Sequence, residues 1–174
     1  NIDAWIGRSF QLDKRTNIIL STRLNTRDFV SKPYVASDSN SFFHDRTMLL
    51  SSLTLIKRNY LRTLKIRGFG RTEDVPVGGA VSLLFGKEVN QFTDRNYYEI
   101  NATWGKYYKA FGYINLSLAT GSFFKNKKGE DGLLTFTSSY FSDLKRVNRT
   151  QARQFIYFTY TEGFNRTLDR TISI

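Results

Sequence analysis

Cysteine is absent from the 174-residue chain, histidine occurs once, proline twice, and no long apolar run is present. Without cysteine there are no disulfides, no zinc-thiolate sites and no thiol nucleophiles. The single histidine, His44, sits in the polar stretch 37–46 beside Asp45. A lone loop imidazole there reads as a solvated side chain rather than a general base. Metal binding would then rest on carboxylates alone, and Glu130-Asp131, in a lysine-rich stretch with glycine, reads as turn chemistry. No serine lies in a nucleophile elbow and no glycine-rich phosphate loop is present. The expectation is a protein that is not an enzyme, with no catalytic residue, no metal and no cofactor.

A helical membrane span needs about 18 or more consecutive apolar residues, and here Ser, Thr, Asn or Arg interrupts every apolar window. That interruption excludes helical spans but not barrel strands, whose signal is alternation. Scarce proline, with aromatics at 16% of the chain, favours extended structure and excludes disorder. No basic and apolar leader precedes Leu12, and the chain starts without Met and stops within an extended run, Thr171 to Ile174. A segment of a longer protein is the expected origin.

What is present is a net charge of +11. Clustered cations would point to nucleic acid, but here they spread over polar connections (Lys14, Arg15; Lys125, Lys127, Lys128; Lys145, Arg146, Arg149) and isolated strand positions such as Arg23, Arg62 and Lys65. That distribution suits loops and a solvated lumen, with loop cations free to meet lipid headgroups or lipopolysaccharide phosphates.

Ten extended segments of roughly ten residues, the length of a tilted bilayer-crossing strand, are expected at 3–12, 16–29, 46–57, 59–68, 77–87, 96–105, 109–123, 132–143, 153–163 and 166–174. No segment of helical period has a cap and a stop. The clearest strand places Tyr98, Ile100, Ala102 and Trp104 on one face and Glu99, Asn101 and Thr103 on the other. Next, Ile114, Leu116 and Leu118 oppose Tyr113, Asn115 and Ser117. Leu134, Phe136 and Tyr140 alternate with Thr135, Thr137 and Ser139, and Ile156, Phe158 and Tyr160 oppose Phe155, Tyr157, Thr159 and Thr161. Short turns at 13–15, 57–58 and 106–108 against longer connections at 30–45, 89–95, 125–131 and 144–152 suggest the two unlike ends of a porin-type barrel; 70–76 fits neither set. Aromatics near strand ends (Trp5, Tyr60, Tyr97, Tyr98, Trp104, Phe123, Phe124 and Phe141) are candidates for the membrane interface. The fold class expected is all-β: one domain over 1–174, an antiparallel meander of about ten strands forming a transmembrane β-barrel or part of one.

The most distinctive string runs Arg67-Gly68-Phe69-Gly70-Arg71-Thr72-Glu73-Asp74-Val75-Pro76-Val77-Gly78. Arg67, Arg71, Glu73 and Asp74 form either a charge network in a lumen or an exposed turn with a weak salt bridge. With the strand Asn59-Tyr60-Leu61-Arg62 before it and the strand 77–88 after it, this string resembles the surface-antigen barrel superfamily of Gram-negative outer membranes. That family comprises outer-membrane insertases and two-partner secretion translocators, and the likeness is to Bacteroidetes-type members. The resemblance implies a sixteen-strand barrel behind periplasmic repeat domains, of which this chain would be a part, and partners that are client outer-membrane or secreted proteins besides the bilayer and lipopolysaccharide. Arg67-Gly68-Phe69 has the letters of the family's lumen-loop tripeptide but lies early in the chain in a short connection, so that role is not carried to it. Two other readings remain open: a small complete outer-membrane barrel for adhesion or anchoring, and a soluble basic β-domain binding polyanions.

Overall fold

A computed structural model describes residues 1–37, 41–64 and 72–166. Its ten strands are β1 (Ile2–Asp13), β2 (Thr16–Arg27), β3 (Arg46–Leu64), β4 (Thr72–Asn90), β5 (Asp94–Tyr108), β6 (Gly112–Lys125), β7 (Lys128–Phe141), β8 (Lys145–Val147), β9 (Thr150–Ala152) and β10 (Phe155–Phe164). Eight of them form one antiparallel sheet in the order β1-β2-β3-β4-β5-β6-β7-β10, while β8 and β9 pair as a separate small hairpin. Among the described residues the sheet is open, with β1 and β10 as its edges. The expected all-β antiparallel meander is therefore present.

Register converts the alternation in the sequence into two chemically different faces. One row of paired residues, Phe10, Ile18, Leu55, Val81, Ala102, Leu118, Phe136 and Tyr160, crosses all eight strands and is apolar or aromatic throughout. Its neighbour on the opposite face, Ser9, Ile19, Thr54, Ser82, Asn101, Ala119, Thr135 and Thr161, is largely polar. Hydroxyls bridge strands on this polar face, with Ser21 to Ser52 at 2.7 Å and Thr54 to Ser82 at 2.8 Å.

Several expected turns fall elsewhere. Residues 57–58 lie inside β3: Lys57 and Arg58 point to opposite faces at a level where both tolerate charge, so two consecutive cations do not break the strand. Residues 106–108 belong to β5, and the connection is 109–111, where Ala110 takes φ 69° and Gly112 φ 116°. The long connections expected at 125–131 and 89–95 shrink to tight turns. Asn126 and Lys127 both adopt positive φ (49° and 64°), the geometry of a two-residue hairpin whose twist matches the strands. At 91–93, the Asn90 side chain accepts the Phe92 N–H at 2.8 Å, an Asx-turn contact. The stretch 144–152 contains the β8–β9 hairpin. Tight turns and longer connections thus occur at both ends of the sheet, so the expected contrast between ends is absent.

The strands β3 and β4 outrun their neighbours. β2 stops pairing with β3 at Lys57 and β5 stops pairing with β4 at Gly78, leaving 59–64 and 72–77 paired in the sheet only with each other as an arm. Gly78 turns the arm over with φ 125°; a Cβ there would stand 2.1 Å from the Lys57 carbonyl oxygen, so only glycine fits. Odd-numbered residues, which lie on the apolar face along the rest of β4, meet the polar face beyond this point. Val75 packs with Tyr113 and Phe141, joined by Leu61, Val77 and Tyr107, and the rings of Tyr113 and Phe141 stack at 4.9 Å. The Tyr113 hydroxyl donates to the Pro76 carbonyl at 2.7 Å, and Gly105, lacking a side chain, leaves room for that approach. Pro76 lies beyond the last pair between β4 and β5, so its missing N–H costs no bond to β5. This cluster is the buried apolar core among the described residues.

Candidate functional site

The functional geometry is distributed over the sheet, and it divides into the apolar face, the polar face and two ends. We call the end carrying the β1–β2 turn, the β3–β4 arm and connection 109–111 the arm end, and the opposite one the clasp end.

On the apolar face the side chains are exposed. Leu53, Leu55, Val81, Leu83, Ile100 and Leu118 form an aliphatic band, each more than a third accessible. Aromatics border it. At the arm end, Trp104, Tyr108, Phe111 and Tyr140 succeed one another with ring centroids 6.5, 6.5 and 5.0 Å apart, and the Tyr140 hydroxyl donates to the Phe111 carbonyl at 2.6 Å. At the clasp end, Tyr98 stands edge-on to Phe124 at 5.7 Å, with Phe85 paired beside Tyr98. This arrangement reverses that of a globular domain, where large apolar side chains sit inside.

On the polar face the ionic groups around Arg95 are enclosed and paired. Arg95, 5% exposed, donates from Nε and Nη2 to Glu88 Oε1 (3.1 and 2.6 Å) and from Nη1 to Asp131 Oδ2 (2.8 Å); Glu88 is 1% exposed. Arg46 approaches the second Glu88 oxygen at 3.6 Å, and the Arg95 guanidinium lies 4.1 Å over the Phe123 ring. A bulge between Gly121 and Phe123 and the positive φ of Asp131 (51°) turn that carboxylate inward. Nearby, the Glu99 carboxylate accepts from the Tyr97 hydroxyl and from Asn101 Nδ2. Further along, Arg23 pairs with Asp3 at 2.5 Å.

The eight aromatics expected at the interface divide between faces. Tyr98, Trp104 and Phe124 lie on the apolar face, and Tyr60 is exposed on the arm. The other four are on the polar side: Trp5 beside Asp3 and Arg23, Tyr97 against Phe123 at 4.7 Å, Phe123 under Arg95, and Phe141 in the buried cluster. Nearness to a strand end, which these eight share, carries no information about face. Of the expected charge network, Arg67 and Arg71 lie outside the described residues, as does the segment 167–174. Asp74 pairs with its register partner Arg62 at 3.2 Å, and Glu73 lines the space between the arm and Tyr113.

Sequence reasoning missed the Glu88–Arg95–Asp131 clasp and read Glu130-Asp131 as a plain turn. A signal existed, because Glu88 and Arg95 are opposite charges, each two residues outside the turn 90–93, and therefore face each other. His44, expected to be solvated, is buried: its Nε2 donates to the Ala36 carbonyl at 3.0 Å and its ring packs 4.8 Å from Phe92. The adjacent Asp45 fastens connection 28–45, accepting from Lys32 Nζ at 2.5 Å and from the Phe29 N–H at 2.9 Å. Those bonds, the Lys32 one first, hold its carboxyl below the ordinary 3.8.

The chain is thus an all-β meander that exposes its apolar face and pairs its charges on the other. Comparison with protein-family models, with curated proteins and with solved structures finds no match.

Proposed function

We propose that the chain is a strand meander of a bacterial outer-membrane β-barrel, its apolar face toward lipid and its polar face toward an enclosed aqueous interior. The observation that carries this reading is the unbroken apolar row across eight strands, backed on the other face by hydroxyls, amides and paired charges. A sheet in lipid must have its backbone satisfied, so its edges must close, by β1 meeting β10 or through further strands. Dimensions support the same reading. Tyr98 and Tyr108, on one face of β5, stand about 33 Å apart along the strand. A tilt of about 40° projects that to about 25 Å, the height of the apolar band in such barrels.

Within outer-membrane barrels, the resemblance around 59–88 favours a part of an insertion or translocation barrel, acting on client proteins by presenting a channel or surface and catalysing no reaction. Membrane residence is tested by reconstituting the full chain into vesicles, washing at alkaline pH and running unheated and boiled samples on a detergent gel. Retention by the vesicles with heat-modifiable mobility is the expected outcome. A monomer that stays in solution without detergent contradicts it.

A further inference from the structure

We infer that the apolar face carries a binding site for one anionic phospholipid at the arm end, its acyl chain in a trough floored by Gly79 and Ala102 and its phosphate between Lys57 and Lys106. This inference rests on the membrane reading above and adds a ligand to it.

The trough follows from register. Gly79 lies between Lys57 on β3 and Trp104 on β5, so the absent side chain leaves a gap between a cation and an indole, about 10 Å across two strand spacings. Ala102 continues the gap beneath Trp104, and Leu55, Leu116, Leu118 and Phe136 wall a depression of about 760 Å³. Lys106 stands two residues beyond Trp104 on the same face, its ammonium 4.9 Å from the Tyr108 ring centroid. A gap of this width has room for the acyl chain of a phospholipid.

The two lysines that flank the trough point to the headgroup. Salt bridges hold Lys32 to Asp45, Arg46 and Arg95 to Glu88, Lys87 to Asp94 and Arg23 to Asp3. Among the described residues, Lys57 and Lys106 have no such salt bridge. Lys14, Arg15, Arg58 and Lys109 add positive charge to the same rim. Asp13 is within electrostatic reach of Lys57, but its carboxylate accepts the Arg15 N–H at 2.7 Å. Ammonium groups without a salt bridge, beside an apolar trough and an aromatic border, fit a phosphate headgroup with its chain.

The test uses the full chain carrying Trp5→Phe, which leaves Trp104 as the sole tryptophan, in phosphatidylcholine vesicles with a minor fraction of phosphatidylglycerol. Bromine is placed on the acyl chains of one lipid or the other, and Trp104 quenching is read. Brominated phosphatidylglycerol should quench about fivefold more per mole than brominated phosphatidylcholine. High salt should reduce that preference. Lys57→Gln with Lys106→Gln should abolish it, Arg at both positions should restore it, and Lys127→Gln with Lys128→Gln at the clasp end should leave it intact. Equal quenching by the two lipids, or a preference that survives the Lys57 and Lys106 substitutions, overturns the site while leaving the membrane reading standing. Relief of quenching by unlabelled lipid A at equal mole fraction assigns the trough to lipid A and overturns the phospholipid. No quenching by either lipid overturns the site and the membrane reading together.

Discussion

Single residues decide whether the polar face holds its charges. Arg95 is the hub of the clasp, with Glu88, Asp131 and, at 3.5 Å, Glu130 around its guanidinium and Phe123 beneath it. Arg95→Met leaves Glu88 only the more distant Arg46 and takes from Asp131 the guanidinium it accepts from, and breaking a buried pair in this way costs about 3–5 kcal/mol. Urea titration in detergent should show that loss, and Glu88→Leu with Asp131→Asn in the same chain should recover most of it. Asp45 gives a pH signature in the connection. Its folded-state pKa is depressed, so its contribution is present above 3.8 and is lost as pH falls through the lower folded value. Lys32→Met should move the Asp45 titration, read by carboxyl-carbon NMR, up toward 3.8. At this scale little of the site was legible in advance. Asp131 faces Arg95 only because a bulge and a left-handed backbone aim it there, and neither leaves a mark in one sequence.

Elements were more legible. The faces of β5, β6, β7 and β10 follow the alternation read from the sequence residue by residue, because a period of two has one solution once a face is set. Boundaries were not, since consecutive charged or polar residues look alike in a turn and in a strand whose two faces both tolerate polarity. Lys57-Arg58 and 125–131 are errors of this one kind, both expected as connections and both mostly strand. The β3–β4 arm was hidden for a further reason: its parity reverses at Gly78, so alternation read through 72–83 assigns half of it to the wrong face. Gly78→Val should lower stability by about 1–3 kcal/mol. Proteolysis of the arm should accelerate while the band across β4 and β5 stays protected; unchanged arm protection would show that φ at this position does not hold the arm in place.

For the molecule as a whole, the account turns on what the apolar face touches. The chain's lack of cysteine allows single cysteines to be placed at will. Nitroxide labels at Val81→Cys, Leu83→Cys and Ile100→Cys, against Ser82→Cys and Asn101→Cys, report collision with oxygen, which concentrates in lipid, or with a water-soluble nickel complex. The account predicts a strict alternation along the reconstituted chain, oxygen-accessible on the apolar positions and nickel-accessible on the polar ones. Apolar positions shielded from both reagents would instead mean a dry packed core, and would contradict it.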